Sequence, residues 1–345
     1  MDTTHRRVLA APDKFRGTLT APEVVTAVAA AADRAGWQVT GQPMADGGEG
    51  ILDAFGGANR RSRVTGPAGR PVEAAWRLDE ESGLAVVESA AASGLAIAGG
   101  RERNDPMTAT SAGTGELIAE AVLAEARRVV VGLGGSAMTD GGLGTVEAVL
   151  ERLDGARPAD RGVELLAACD VQTVFTDAAR VFGPQKGAGP AQIEELTRRL
   201  EALQRDYRQR FGTDLAGLAG GGAAGGLGGG LLVLGGSLVP GLDLVADQVG
   251  LEDQLAQADL VVTGEGALDA ESFHGKVVGG VVARARARQL PVLVLAGTVL
   301  PDAPASELAQ LAVVDLTATF GERSSWERTA ACVEQAVADH LAALA

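Results

Sequence analysis

An α/β fold, with parallel sheets covered on both faces, is the architecture this sequence predicts, and three observations predict it. Short, almost wholly apolar runs alternate with stretches of helical periodicity, the pattern of strands buried on both faces and joined by crossover helices. Asp13, Asp46, Asp170 and Glu265 each fall just past the end of an apolar run, where open α/β sheets present their ligand-binding groups. With 345 residues the chain is long enough for two domains, each with its own core.

Taken in order, "RVLAAP" (7–12) is the first predicted strand. Thr20 and Glu23 form a capping box ahead of "VVTAVAAAADRAG", a helix that closes at Gly36. "WQVTGQPM" is the next strand and runs into the turn "ADGGEG". "LAVVES", "RRVVVGL", "ELLAACD", "ADLVVTG", "PVLVLAG" and "LAVVDL" follow, with helices between most of them. "AQIEELTRRLEALQRDYRQRF" reads as a solvated helix with an apolar stripe. "GGGAAGGLGGGLLVLGG" (220–236) carries too much Leu and Val for a flexible linker and reads as a glycine-rich turn running into a tightly packed helix.

Composition narrows the function. Hydrophobic residues make up 46% and aromatics only 3%, so Ala, Val and Leu must build the cores. A formal net charge of -15 argues against nucleic acid as a partner, because phosphate backbones demand a basic surface. It does not exclude small anionic substrates, which need only one or two local cations. Cys169 and Cys332 form neither a CxxC pair nor a zinc spacing and point to a reducing cytoplasm, with Cys169 as a small buried hydrophobe at a strand end. The opening "MDTTHRRVLAAPDKF" lacks a signal-peptide core, and no apolar run reaches the length of a membrane span, so a cytoplasmic protein without a membrane partner is expected.

The chemistry turns on "VVVGLGGSAMTDGGLGTVEAVL" (129–150). Gly132, Gly134 and Ala137 fit the G-x-G-x-x-[G/A] dinucleotide fingerprint, so a nicotinamide-dependent oxidoreductase acting on a small hydroxy acid is one alternative. That fingerprint needs a second strand ending in an acid about 20 residues on, and the polar loop "ERLDGARPADRG" follows instead. A Walker A loop is excluded, because Val277 follows Gly275-Lys276 where Ser or Thr is required, and Ala270 stands at the first glycine. A non-catalytic, two-lobed sugar-acid binding protein is a second alternative, but a pure anion binder gains nothing from acids beside glycine turns. Phosphoryl transfer asks for glycine-rich amides, carboxylates for Mg²⁺, cations and a base near the acceptor hydroxyl. "GGSAMTDGG" supplies amides with Ser136, Thr139 and Asp140. "MADGGEG" supplies Asp46 and Glu49, "TGEGALD" supplies Glu265 and Asp269, and Lys14, Arg16, Lys186 and Lys276 are cations in or beside turns. His274 is either a base or a local hydrogen-bonder. Asp140 either acts through Mg²⁺ or water or, with Thr139, caps a helix start.

In order along the chain, "APDKFRGTLTAPEV", "MADGGEG", "TSAGTGELI", "GLGGSAMTDGG", "FGPQKGA", "GGAAGGLG" and "TGEGALD…HGK" resemble the motifs of type I glycerate kinases, and the resemblance covers essentially the whole sequence. It implies transfer of the ATP γ-phosphoryl group to D-glycerate, usually giving 2-phosphoglycerate, with Mg²⁺. It implies two α/β domains, a flavodoxin-like parallel-sheet domain built from both chain ends (1–65 and 250–345) and a second α/β domain inserted in the middle (66–249), with a cleft between them. With the residue chemistry above, it assigns Asp46, Asp140 and Lys276 to catalysis. Arg16, Gly47, Gly48, Glu49, Ser136 and Thr139 go to the substrate, Gly134, Gly135, Lys186, Gly264 and Glu265 to ATP, and Asp170 and Asp269 to the metal. Asp46 is preferred to Glu49 as the group that orients or deprotonates the hydroxyl. The chain departs from the family at Asp13-Lys14-Phe15-Arg16-Gly17 (usually D-S-F-K-G), at Ser136-Ala137-Met138-Thr139-Asp140 (usually S-A-T-N-D) and at Gln172-Thr173-Val174 (usually N-P-L). Either Arg16 takes over the family lysine's role or Lys14 reaches the same anion from a neighbouring position; Arg16 is favoured, because its planar fork suits a carboxylate. Expected partners are small molecules, D-glycerate and ATP, with a homodimer the oligomer to test for.

Overall fold

The computed structural model describes residues 6–15 and 17–344, so Arg16 lies outside the described residues. The strands are β1 (Arg7–Ala10), β2 (Gln38–Gly41), β3 (Arg60–Thr65), β4 (Pro71–Asp79), β5 (Leu84–Glu88), β6 (Arg128–Gly132), β7 (Glu164–Ala168), β8 (Ser237–Val239), β9 (Leu260–Leu268), β10 (Val292–Val299) and β11 (Ala312–Asp315). The chain divides into two compact units, Met1–Asp46 with Asp53–Phe55 and Leu242–Ala345, and Gly47–Leu52 with Gly56–Gly241. The boundaries therefore differ from those at 65/66 and 249/250. β3 pairs along its length with β4 and so belongs to the inserted unit, and the segment from Leu242 belongs with the chain ends.

The chain-end unit is one parallel sheet in the order β2-β1-β9-β10-β11. Counted within the unit this is 2-1-3-4-5, the flavodoxin-like order. Its apolar runs are interior: Val8, Leu9 and Ala10 of β1 and Leu260, Val261 and Val262 of β9 are at most 1% exposed. One face is covered by the helices Ala21–Arg34 and Thr329–Ala343, whose Val24, Val28, Val333 and Val337 share a core cluster with the strands. The predicted capping box is present, Thr20 N–H donating to Glu23 Oε2 at 2.8 Å.

The inserted unit is a mixed sheet in the order β3-β4-β5-β6-β7-β8, parallel from β5 to β8 and antiparallel from β3 to β5. The antiparallel part departs from the all-parallel expectation. β3 reads "RRSRVT" and has no apolar run. β4 buries every second residue, Ala74, Trp76 and Leu78, the period of a half-covered strand. The glycine-rich segment is a turn running into a helix: Ala224, Gly225 and Gly226 have φ of 50, 73 and 92°, and the helix then runs to Val233. Glycine is required there because a Cβ on Gly226 would lie 2.7 Å from Gly141 Cα and one on Gly230 2.9 Å from Gly142 Cα, so backbone packs on backbone.

Candidate functional site

On the chain-end unit the strand order reverses between β1 and β9, the switch point at which open α/β sheets bind ligands. Asp13 follows the carboxyl end of β1, whereas Glu265, expected just past its strand, lies inside β9 in register with Ala296, because β9 runs on to Leu268 beyond the end of β1. Beyond β1 the chain stays on β9, with Ala11 N–H donating to Val262 O at 2.8 Å and Asp13 N–H to Gly264 O at 2.9 Å. Lys14 N–H donates to Asp13 Oδ1 at 2.7 Å, and its ammonium lies 3.8 Å from the same oxygen. Beyond β2 the chain follows the same edge, Met44 N–H donating to Pro12 O at 2.9 Å, which delivers half-buried Asp46 to this end of the sheet.

Glu265 is the electrostatic centre of this cluster. Burial pushes its carboxyl up to about 7; the Ser272 hydroxyl and Lys276 pull it down, and Asp13 and Asp269 push it further up. Its Oε1 is buried with no hydrogen-bond partner. Asp269, expected on the metal, caps the turn Ala270–Phe273 through one oxygen, its Oδ1 accepting from Glu271 N at 2.9 Å and Ser272 N at 3.0 Å, with Lys276 Nζ 3.7 Å away. Gly264, expected to present an amide to ATP, is buried in β9, where a Cβ would lie 2.2 Å from Leu295 O. It is glycine for strand packing. His274 makes a local hydrogen bond, its Nδ1 2.8 Å from Ala270 O.

On the inserted unit the carboxyl ends of β5, β6 and β7 gather a second cluster. Glu88, at the end of β5, accepts from the backbone N–H groups of Gly50 and Leu52, both at 2.9 Å, and pins the loop that carries Gly47, Gly48 and Glu49. The glycines after β6 make room for that loop. Leu133 N–H donates to Gly47 O at 3.0 Å. A Cβ on Gly134 would meet Glu49 N at 2.8 Å, and one on Gly135 would meet Glu49 Oε1 at 2.0 Å. The G-x-G-x-x-A spacing is thus explained by a loop lying across it, not by a dinucleotide. Gly47 itself is buried, with a Cβ position 2.7 Å from Gly241 Cα, and so is a packing glycine. Asp170, after β7, accepts from Gly241 N–H at 2.9 Å.

Asp140 resolves in favour of the helix start. Its Oδ1 accepts from Gly142 N at 3.0 Å, and its Oδ2 from Ser111 N and Ser111 Oγ, both at 2.8 Å, and from Gly144 N at 3.3 Å, just before the helix Leu143–Arg152. Both oxygens thus tie the segment before the helix to Ser111. Lys186, expected to reach ATP, points inward: it is 2% exposed, and its Nζ donates to Ser136 Oγ at 2.9 Å and Met138 O at 2.6 Å. Burial brings it down to about 7, opposed by the Asp140 charge. Thr139 is also 2% exposed, and its Oγ1 has no hydrogen-bond partner.

Glu88 and Ser111 were not singled out in the sequence. Glu88 follows the apolar run of "LAVVES" in the way Asp13 follows its strand, so the same signal marks it; Ser111 lies in "TSAGTGELI" and carries no spacing of its own. Among the described residues no group of three or more His, Cys, Asp or Glu is arranged to hold a metal ion, and Asp170 and Asp269 belong to different units.

The glycerate kinase family model matches residues 8–154 and 149–345. This chain belongs to the glycerate kinase family. A glycerate 2-kinase of Escherichia coli is 36% identical over 334 residues, covering 86% of each chain. A glycerate kinase of Bacillus subtilis is 36% identical, covering 87% of each. An uncharacterized protein of Mycobacterium bovis is 44% identical over 86% of this chain and 80% of its own. The fold is similar to a crystal structure assigned to glycerate kinase 2 of Salmonella typhimurium LT2, with a TM-score of 0.82, 33% identity, and coverage of 99% and 98% of the two chains. Membership of a kinase family sets aside both the oxidoreductase and the non-catalytic binder. No helix among the described residues is long and apolar enough to cross a membrane.

Proposed function

We propose that this kinase transfers the γ-phosphoryl group of ATP to D-glycerate, with 2-phosphoglycerate the favoured product and Mg²⁺ as the accompanying ion. The observation that carries the reading is the meeting of Asp13, Lys14 and Glu265 at the switch point of a 2-1-3-4-5 sheet, in a chain whose relatives are named as glycerate kinases. Phosphoryl transfer needs little covalent help from a protein; it needs positioned charge. Mg²⁺ is usually held by one or two carboxylates plus substrate phosphates; Glu265, whose buried Oε1 has no hydrogen-bond partner, and Asp269, whose cap bonds all fall on Oδ1, are the carboxylates of this edge that would supply them. When bound there, the ion would neutralise phosphate charge. Lys276, which is 35% exposed at the side chain, and Lys14 are the cations of this edge for the transferring group. Asp46 orients or deprotonates the glycerate hydroxyl, while Gly48, Glu49 and Ser136 contribute polar contacts to the sugar acid. Arg16 remains the expected partner of its carboxylate.

The test is incubation of the purified protein with Mg-ATP and D-glycerate, followed by phosphorus NMR. The expected result is a new resonance of 2-phosphoglycerate formed in step with ADP. ATP unchanged in the presence of D-glycerate refutes the activity, and a 3-phosphoglycerate resonance alone refutes the favoured position.

A further inference from the structure

The buried lysine of the inserted unit has one neighbour through which it can act. Lys186 sits at the end of the turn Pro184–Lys186, sealed by Ala224-Gly225-Gly226, where a Cβ on Gly225 would lie 2.9 Å from its Nζ. Asn104 Nδ2 donates to the carbonyls of Ala137 and Lys186, at 3.0 and 2.9 Å, and ties the two segments together. Ser136 is 7% exposed, follows the exposed Gly135, and has its backbone fixed by Leu95 N–H donating to Gly135 O at 2.7 Å and Ala137 N–H to Ser93 O at 2.9 Å. The serine is therefore the less buried end, next to exposed Gly135, of a Lys186–Ser136 pair whose heavy atoms are 2.9 Å apart.

A serine hydroxyl has one proton, and the lysine decides where it goes. An ammonium has donors only, so Ser136 Oγ must accept from it and its own O–H is left to point away. A neutral amine has a lone pair, into which Ser136 O–H can turn while an N–H of the amine still serves Met138 O. We propose that Lys186 is a positioning residue that sets the direction of the Ser136 hydroxyl: Ser136 offers its proton to an anionic oxygen of the sugar acid while Lys186 is charged, and withdraws it when Lys186 gives its proton to water. This inference rests on the reading that Ser136 meets D-glycerate. Asp140 is the charged group acting on Lys186 from the segment 136–140, the segment 224–226 carries no charge, and Asn104 is neutral. Burial outweighs Asp140 and brings the lysine to about 7, so the switch falls in an accessible range.

Calorimetric titration of D-glycerate into the intact protein, without nucleotide, tests this between about pH 6 and about pH 9. The glycerate carboxylate stays ionised throughout, so its own titration contributes nothing. Wild type is expected to bind about tenfold more weakly at the upper end, the loss of one hydrogen bond to a charged group. Ser136→Ala is expected to bind weakly at every pH with no step, and Lys186→Met, with its fold checked by circular dichroism, to lose the step as well. A flat wild-type profile, or a step that persists in Ser136→Ala, overturns the inference; the serine variant decides even if Lys186→Met fails to fold. Wild type that phosphorylates D-glycerate but shows no step overturns the positioning role alone. Wild type that neither binds nor phosphorylates it removes the reading beneath as well.

Discussion

Glu265 holds a carboxylate oxygen in the protein with no donor to meet it, and an uncompensated buried oxygen costs about 1–3 kcal/mol. A group kept against stability beside the switch point of the sheet is the signature of a site rather than of a scaffold. Glu265→Gln keeps the shape and removes the charge, so the thermal midpoint should rise while turnover with Mg-ATP and glycerate falls at least about 100-fold. A variant that loses stability and activity together would make Glu265 structural instead. Asp46 has a simpler prediction. Asp46→Asn should fold normally and lose about 10²–10⁴ in kcat, the usual cost of a lost general base. Lys186 adds a stability signature. Its charged form is disfavoured in the fold, so the native protein releases this proton near pH 7, while the unfolded chain keeps it until the ordinary lysine value. Over that window the unfolded state binds more protons, and stability attributable to Lys186 should rise with pH. In Lys186→Met, urea midpoints taken from about pH 7 to about pH 10 should lose that rise.

At the scale of elements, the loop that leaves Asp46 is pinned at Gly50 and Leu52 by a side chain at the end of β5. Glu88 accepts two backbone N–H bonds, and a carboxylate in that role contributes more than a neutral acceptor. Glu88→Ala should leave the sheet intact and speed amide hydrogen exchange at Gly50 and Leu52 by about tenfold or more, with a raised glycerate KM. Unchanged exchange at those amides would show that the loop is held by its glycine packing alone. Elements were legible in the sequence to the extent that burial left a pattern. The parallel strands are continuous apolar runs because both faces are covered, and the acids that follow Asp13's pattern mark their carboxyl ends. The β3–β4 hairpin was hidden because β3 is an edge strand rich in arginine, although Ala74, Trp76 and Leu78 alternate visibly in β4. The direction of Lys186 was not legible at all. A lysine in a glycine turn is solvated unless another segment closes over it, and the segment that does so, 224–226, is about 40 residues away in sequence.

The whole molecule carries a formal charge of -15, and that sum makes its own prediction. Its ion pairs are largely exposed, as with Arg323–Glu327, where the side chains are 86% and 60% accessible, and such pairs contribute about 0–1 kcal/mol each. They do not offset the repulsion among the excess acids, which acts over the longer distances that salt screens first, since the Debye length falls from about 30 Å at 0.01 M to about 8 Å at 0.15 M. Raising NaCl across that range should therefore raise the thermal midpoint. Screening depends on ionic strength and not on the identity of the cation, so MgCl₂ at matched ionic strength should do no more than NaCl as long as no nucleotide is present. With ATP added the two salts should part. A ligand that binds only the native state stabilises it by about 2.7 kcal/mol at 100 times its Kd, and a magnesium–nucleotide complex is the form that acids at a strand end can accept. Differential scanning calorimetry of four samples, each salt with and without ATP, separates the terms. Extra stabilisation by MgCl₂ without ATP would mean that the protein holds the ion by itself, and equal midpoints with ATP would mean that nucleotide binding does not need it.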